Sequence, residues 1–349
     1  HSYSNQGAYA SHGHAIAANG LTSWRLQYAC PNIRGEAYTI YTNTPVGGAM
    51  RGYGIPQVCF AIESFMDDVA NEIHMDPLEF RRKNLIQGYY EDAYLKPIAA
   101  NTNGIFECLE KGAEYIHWDE KRKEYAEQTG DVRKGVGMAL FSYKTGVWPI
   151  SLEIAGARLS LNQDGSVQLM LGATEIGQGA DTVFSQMVAE TLHTDMEHVH
   201  IKTVQDTDVS PFDTGAYASR QSFVTGTAVR HCAEILRDKI LAYAKTLLPE
   251  IDTRELTLKD NWIWAGDEQA ISLAALAEES YYSLTNSSVL TAEVSEQVKK
   301  NTIATGCCFA EVEVDIKLGK IKILHIINVH DSGKLLNPQL AEMQVHGGM

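Results

Sequence analysis

The tightest constraint in this sequence is a stretch of nearly bare backbone. Gly177-Gln178-Gly179 stands between an apolar, strand-like run ending at Ala173 and a helix-like run, 180-ADTVFSQMVAETL-192. In the order strand, turn, helix, free N–H groups and a helix N-terminus can point at a phosphate or another anion. A dinucleotide fingerprint would need a third glycine where Thr182 stands, and a parallel strand where the upstream text reads as an antiparallel hairpin. Two further stretches repeat the pattern. In 47-GGAMRGYGIPQ-57 glycines surround Arg51 and Tyr53, and in 214-TGAYASRQSFVTG-226 small residues surround Ser219, Arg220, Gln221 and Ser222. Each loop stands directly before a helical stripe. Three such loops describe one extended ligand with several anionic or polar parts, and Arg51 and Arg220 suit bidentate contact to phosphate or carbonyl oxygens.

Around these loops the text predicts an α+β fold of mixed helix and antiparallel-sheet layers. Val58, Ile62, Phe65, Met66, Val69 and Ile73 fall at helical spacing and form the expected buried face of one helix, with Glu63, Asp67 and Asp68 on its solvated side. Asp76-Pro77-Leu78-Glu79 supplies an N-cap, a proline at the first helical position and an acid in the first turn of a second helix. A further helical segment is expected around Phe106 to Tyr115. In 157-ARLSLNQDGSVQLMLGA-173 apolar residues alternate on both sides of Asp164-Gly165, the pattern of a β-hairpin. A long helix is expected over 222 to 247, and a second hairpin about Leu318-Gly319-Lys320.

The 349 residues and 44% hydrophobic content predict two domains. The boundary is expected in the polar text between them, giving 1–98 as the C-terminal part of a first domain, 99–132 as a connecting segment and 133–349 as a second domain. A net charge of -15 argues against wrapping a polyanion, so nucleic acid is not an expected partner. The six cysteines, at 30, 59, 108, 232, 307 and 308, form no C-x-x-C, so any iron-sulfur centre is expected elsewhere. The apolar contexts Val58-Cys59-Phe60 and Gly306-Cys307-Cys308-Phe309 predict core thiols in a reducing compartment and a cytoplasmic location. There is no apolar run of about eighteen residues and no secretion pattern at 1-HSYSNQGAY, so neither a membrane nor export is expected. The chain begins without Met and stops at 346-HGGM, which suggests a fragment of a longer polypeptide.

Four segments in order, AMRGYGIPQ, ATEIGQGADT, TGAYASRQSFVTG and 328-NVHDSGKLLNPQLAEMQVHGGM-349, closely resemble the molybdopterin-binding subunit of bacterial xanthine dehydrogenases, within the xanthine oxidase and aldehyde oxidoreductase family. The resemblance covers essentially the whole chain and implies two molybdopterin-binding domains, the second truncated at its C-terminus. It implies that the dithiolene of a pterin, and no side chain, ligates molybdenum, with Arg51 near the metal but not bonded to it. Arg51 and Gly52 would contact the molybdenum end, Ile176, Gly177 and Gln178 would cradle the pterin and its phosphate, and Ala218, Ser219, Arg220 and Gln221 would form a second phosphate loop. Gln344 would hydrogen-bond the pterin. Tyr53 and Trp148 would face the substrate as aromatic walls. Bacterial members commonly carry the cytosine dinucleotide form, and Arg220 would suit its extra phosphate. Arg51, Gln178, Ser219 and Gln344 are expected to converge on one cleft.

The implied activity is oxidative hydroxylation of a purine such as hypoxanthine or xanthine, with water as oxygen source. Electrons would leave through 2Fe-2S clusters to FAD, both on partner subunits of an oligomer. The alternatives are a hydroxylase of aldehydes or other N-heterocycles such as nicotinate, or a non-catalytic cofactor-binding module. The family's glutamate base is expected beyond Met349, so no catalytic residue is assigned within 1–349 and the piece alone is expected to be inactive. Other tempting groups have plainer readings. His330-Asp331-Ser332 holds the letters of a triad, but neighbours on a strand point to opposite faces. His12-x-His14 lacks a visible third ligand, and Glu175 is expected to fix its loop rather than act as a base.

Overall fold

The computed structural model describes residues 1–88, 90–91, 97–98, 104–149, 152–202, 205–252 and 255–349. In chain order its elements are β1 (Ser2–Gly7), α1 (Gly13–Ser23), β2 (Ala37–Tyr41), α2 (Ile55–Glu72), α3 (Pro77–Asn84), β3 (Tyr90–Glu91), β4 (Pro97–Ile98), α4 (Ile105–Ile116), α5 (Trp118–Glu124) and β5 (Val132–Thr145). There follow β6 (Ile154–Leu161), β7 (Val167–Leu171), α6 (Ala180–Leu192), β8 (Val199–Lys202), α7 (Val224–Leu247), β9 (Leu256–Lys259), β10 (Trp262–Ala265), β11 (Glu268–Ser272), α8 (Leu273–Tyr282), β12 (Thr291–Gln297), β13 (Thr302–Asp315), β14 (Lys320–Asp331) and α9 (Pro338–Gly348). They fall into two compact units. Unit 1 takes His1–Lys144, Thr302–Leu335 and Val345–Met349, and unit 2 takes Thr145–Asn301 and Leu336–Gln344.

Unit 1 is built on the sheet β14-β13-β5, with α4 packed on β13 and β14 through Cys108, Leu109 and Ile116. Gly112 makes that approach possible, because a Cβ there would stand 2.3 Å from the Phe309 ring. The expected cap forms: Asp76 Oδ1 accepts from the N–H groups of Leu78 at 2.9 Å and Glu79 at 3.2 Å, and α3 starts at Pro77. The solvated side assigned to α2 needs correction. Its buried residues are Ile55, Glu63, Met66 and Ala70, while Phe65 and Ile73 are exposed. Glu63 is drawn inward by Arg81, whose Nε donates to Glu63 Oε2 at 2.8 Å and whose Nη1 donates to Asp67 Oδ1 at 2.6 Å. Tyr28 Oη and the Leu140 N–H also donate to the Glu63 carboxylate. The hub thus joins α2, α3 and β5, and burial with the Glu63 charge beside it pushes the Tyr28 phenol far upward.

Unit 2 carries the sheet β12-β6-β7-β8. The expected hairpin forms, with Leu161 opposite Val167 and Leu159 opposite Leu169, and the inward row of both strands is fully buried. Each such side chain contributes about 1.5–3 kcal/mol relative to exposure. Helix α7 lies across β6 and β12 and packs on α6, as its length and apolar stripe require. The sheet is not purely antiparallel, however. β7 pairs antiparallel with β6 on one side and parallel with β8 on the other, and α6 is the crossover between β7 and β8. The Gly177-Gln178-Gly179 loop therefore leaves the C-terminal end of a parallel strand, the place where open α/β sheets receive ligands. β1 and β2 of unit 1 also pair parallel.

Cys307 is buried as expected, with Cys108 and Cys232 also buried, whereas Cys59 and Cys308 are half-buried and Cys30 is exposed; burial pushes the thiols of Cys59 and Cys307 up to about 12. The second hairpin forms between β13 and β14, but its apolar tip, including Ile321 and Ile323, is exposed. Among the described residues no helix is long and apolar enough to cross a membrane, and no group of three or more His, Cys, Asp or Glu is placed to hold a metal ion.

Candidate functional site

The loop that opens α6 folds around its own acid. Gly177 and Gly179 take φ values of +95° and +83°, and a Cβ on Gly177 would meet nothing within 4 Å. This turns successive N–H groups towards one point at the start of the helix. Glu175 fills that point: Oε1 accepts from Gly177 N at 2.7 Å and Gly179 N at 3.1 Å, and Oε2 from Asp181 N at 3.1 Å. Burial alone would raise its pKa, but the N–H groups of Asp181, Gly179, Gly177 and Ala180 outweigh burial and hold the carboxyl below its ordinary value. Asp181 moves the other way, raised by burial and then by the Glu175 charge. Gln178 turns back on the loop, accepting from Ile176 N at 2.6 Å and donating to Thr174 O at 3.0 Å and to Gln221 Oε1 at 2.5 Å. The expectation that Glu175 fixes this loop matches these contacts.

The loop that opens α7 is held from inside by a cation. Ala218 and Ser219, at φ +50° and +53°, are consecutive non-glycine residues in the left-handed region, an arrangement that costs about 1–3 kcal/mol per residue and persists only where its surroundings enforce it. Arg220 enforces it. Its Nε donates to Glu153 Oε2 at 2.7 Å, its Nη1 to Asp213 Oδ1 at 2.5 Å and Gly215 O at 3.1 Å, and its Nη2 to Ile154 O at 2.8 Å. Arg220 is 0% exposed, and so is the Asp213 side chain. The guanidinium expected to meet a phosphate is thus turned into the core, with all three nitrogens engaged there. The two carboxylates it faces receive further donors: Val147 N on Glu153, and Gly215 N with Thr225 Oγ1 on Asp213. Of the residues assigned to this loop, Ser219 is exposed, and Gln221 is buried with its carboxamide on Thr174 O and Gln178.

Trp148 lies in a third loop tied to the second. Gly146 N donates to Ala218 O at 2.8 Å, and Asn301 Nδ2 donates to Trp148 O at 2.7 Å. Unit 2 therefore brings together the loops of Ile176 to Gln178, Ala218 to Gln221 and Trp148. Two polar atoms on these segments, Thr214 Oγ1 and Asn301 Oδ1, are buried with no partner among the described residues. The first part of α9 joins the same unit: Leu340 Cδ1 stands 2.8 Å from where Gly179 would carry a Cβ, and Gln344 follows one turn later on the same helix face. Sequence reading missed Glu153, Asp213, Thr214 and Asn301. A signal was present for Glu153, a lone acid inside strand-like apolar text, 152-LEIAG-156.

In unit 1, Gly52, Tyr53 and Gly54 take φ values of +93°, +47° and +88° in succession just before α2. The turn rests on α1, with Asn19 Nδ2 donating to Tyr53 O at 2.8 Å and Tyr53 Oη donating to His12 O at 3.1 Å. Arg51 is exposed, its Nη1 2.8 Å from where a Cβ on Gly347 would stand. The other candidates have local roles. His330 packs on the Phe141 ring at 4.9 Å, and Asp331 accepts from Gly104 N at 3.1 Å and Gly333 N at 3.0 Å. His14 Nδ1 lies 2.8 Å from Ser11 O.

Two family models, each described as a molybdopterin cofactor-binding domain, match residues 1–85 and 111–349. The chain belongs to the molybdopterin cofactor-binding domain family. It is 46% identical over 351 residues to the putative xanthine dehydrogenase molybdenum-binding subunit XdhA of Escherichia coli (strain K12), covering 99% of this chain and 46% of that protein. It is 30% identical to the probable hypoxanthine oxidase XdhD of the same organism, covering 98% of this chain and 36% of that protein. The chain thus spans about half the length, or less, of these curated relatives. In fold it is similar to quinoline 2-oxidoreductase from Pseudomonas putida, with a TM-score of 0.88 over 99% of this chain and 46% of that one; at 21% identity the likeness concerns the fold alone.

The residues fit a pterin cofactor. Bare glycine backbone, exposed Ser219 and two partnerless buried polar atoms beside these loops suit a heterocycle rich in donors and acceptors.

Proposed function

We propose that the protein holds molybdopterin with molybdenum, in the cytosine dinucleotide form, as part of a xanthine dehydrogenase-like hydroxylase acting on a purine such as hypoxanthine or xanthine. Its domains would divide as 1–98 and 133–349, with 99–132 between them. When bound, the cofactor supplies two-electron oxidation of a substrate carbon. Ile176, Gly177 and Gln178 would line the pterin, Ala218 and Ser219 would offer backbone and hydroxyl to phosphate, and Arg51 with Gly52 would approach the molybdenum end. Gln344 would bond the pterin, and Tyr53 and Trp148 would form aromatic walls for a flat substrate ring. Arg220 and Gln221 would act from beneath the loop by fixing its shape. With Arg220 buried, the dinucleotide form rests on the bacterial resemblance alone.

The observation that supports this reading best is the joining of two small-residue loops and the Trp148 loop in unit 2 through Gln178 to Gln221 and Gly146 to Ala218. Partner subunits carrying 2Fe-2S and FAD would take the electrons, in a cytoplasmic oligomer. The full-length protein should contain about one molybdenum and one pterin per chain, measured by elemental analysis and by fluorescence of the oxidised pterin. A substrate panel of hypoxanthine, xanthine, nicotinate and an aldehyde should give the highest kcat/KM on a purine. Absence of both molybdenum and pterin would reject the cofactor reading, and a preference for the aldehyde would reject the substrate reading.

A further inference from the structure

The α6 N-terminus has the geometry of an anion holder, yet one of its own residues fills it. Three N–H groups converge on the Glu175 carboxylate, and a second acid, Asp181, follows in the first turn of the helix. The positive end of the helix dipole is therefore neutralised from within. A phosphate dianion brought to the same N–H groups would meet the Glu175 charge at contact distance, where like charges repel by several kcal/mol at an effective dielectric constant of about 20. The neighbouring loop differs: Ser219 is exposed, and the carboxylates beneath the loop, Glu153 and Asp213, are already paired with Arg220.

We propose that Glu175 is a resident anion that closes the loop of Ile176, Gly177 and Gln178 to phosphate and reserves it for an uncharged, hydrogen-bonding part of the ligand, leaving phosphate to the loop of Ala218 and Ser219. The proposal rests on the reading that this chain binds a phosphorylated pterin, and it divides that ligand between the two loops. Glu175 acts as a positioning residue. Its carboxylate sets the Gly177 and Gly179 conformations, and these set the Gln178 side chain against Gln221.

The test uses the full-length protein in its molybdopterin-free state, with inorganic phosphate as the probe at constant ionic strength. Glu175→Ala vacates the N–H groups and should bind phosphate about tenfold tighter than wild type by titration calorimetry, a gain corresponding to about 1.4 kcal/mol. Glu175→Gln removes the charge but keeps the space filled and should show a smaller gain than Glu175→Ala. Equal phosphate binding by wild type and Glu175→Ala overturns the proposal. A separate readout, useful if Glu175→Ala does not fold, is retention of pterin by Glu175→Gln during dialysis. If Glu175 shapes the loop for a neutral group, pterin leaves the variant faster than wild type. If Glu175 merely competes with a phosphate for this place, the variant holds pterin longer, and the proposal is wrong. A wild-type protein that never contains pterin would refute the proposed function, while the phosphate titration would still decide the role of Glu175.

Discussion

Among the described residues each unit buries one arginine completely, and the two arginines brace different things. Arg81 in unit 1 ties together regular elements: α2 through Glu63 and Asp67, α3 on which it sits, and β5 through the Leu140 N–H that shares Glu63. Arg220 in unit 2 ties together loops: the strained Ala218-Ser219 turn beside it, the Asp213 to Gly215 segment, and the Trp148 loop through Glu153. Both are guanidinium groups enclosed by two carboxylates and backbone carbonyls. Their chemistry is alike, and their place in the chain decides whether they serve stability alone or also the shape of the loops proposed to hold the ligand.

The sharpest way to break that comparison is to replace both arginines by methionine. Each change leaves buried carboxylates without their cation and should cost about 3–5 kcal/mol, seen as a lowered urea midpoint. Only Arg220→Met should also lower the pterin content of protein that remains folded. Equal pterin loss in both variants would erase the distinction.

Unit 1 has a second buried charge centre that sharpens the contrast, because it too lies among regular elements. Glu311 on β13 accepts from Lys121 Nζ at 2.7 Å, Tyr125 Oη at 2.6 Å and His325 Nδ1 at 2.7 Å, and these bonds lower its pKa to about 2. A carboxylate whose folded pKa is depressed stabilises the fold above its unfolded value, near 4.5, and that contribution is lost as pH falls towards about 2. Glu311→Gln should cost about 2 kcal/mol at pH 7 and flatten the acid limb of the stability curve, with pterin content unchanged. A variant with an undiminished acid limb would remove Glu311 from this role.

Smaller effects set the lower end of the scale. Asp76→Ala removes the α3 cap and should cost about 1 kcal/mol in thermal or urea melts. Arg158 and Glu293 pair across β6 and β12 at 2.9 Å on an exposed face. Arg158→Ala should change stability by less than about 0.5 kcal/mol. A loss as large as that of Arg220→Met would show that exposure is a poor guide to charge energetics in this chain.

What the sequence made legible was local. The Asp76-Pro77 cap, the hairpin around Asp164-Gly165 and the stripe of α6 each declare themselves within a dozen residues, and all form as expected. The buried arginines did not, because their partners are remote. Arg81 reaches Glu63 eighteen residues back, and Arg220 reaches Glu153 sixty-seven residues back. Viewed alone, Glu63 falls among the polar residues of a helix, and Arg220 among small residues that invite a ligand. The β7–β8 pairing was hidden for a related reason: β8 is four residues long, too short for the alternation of Val199, His200, Ile201 and Lys202 to mark a strand. In the candidate site, the glycines and Gln178 were recognisable from their loop, whereas Asn301 and Thr214 enter only through packing.

The most direct measurement is a crystal structure of the full-length protein with its cofactor bound. The account predicts pterin density against Gln178, phosphate density beside Ser219, and a Glu175 carboxylate still bonded to the Gly177 and Gly179 N–H groups. A phosphate seated on the α6 N-terminus with Glu175 swung away, or a pterin that touches neither loop, would contradict it.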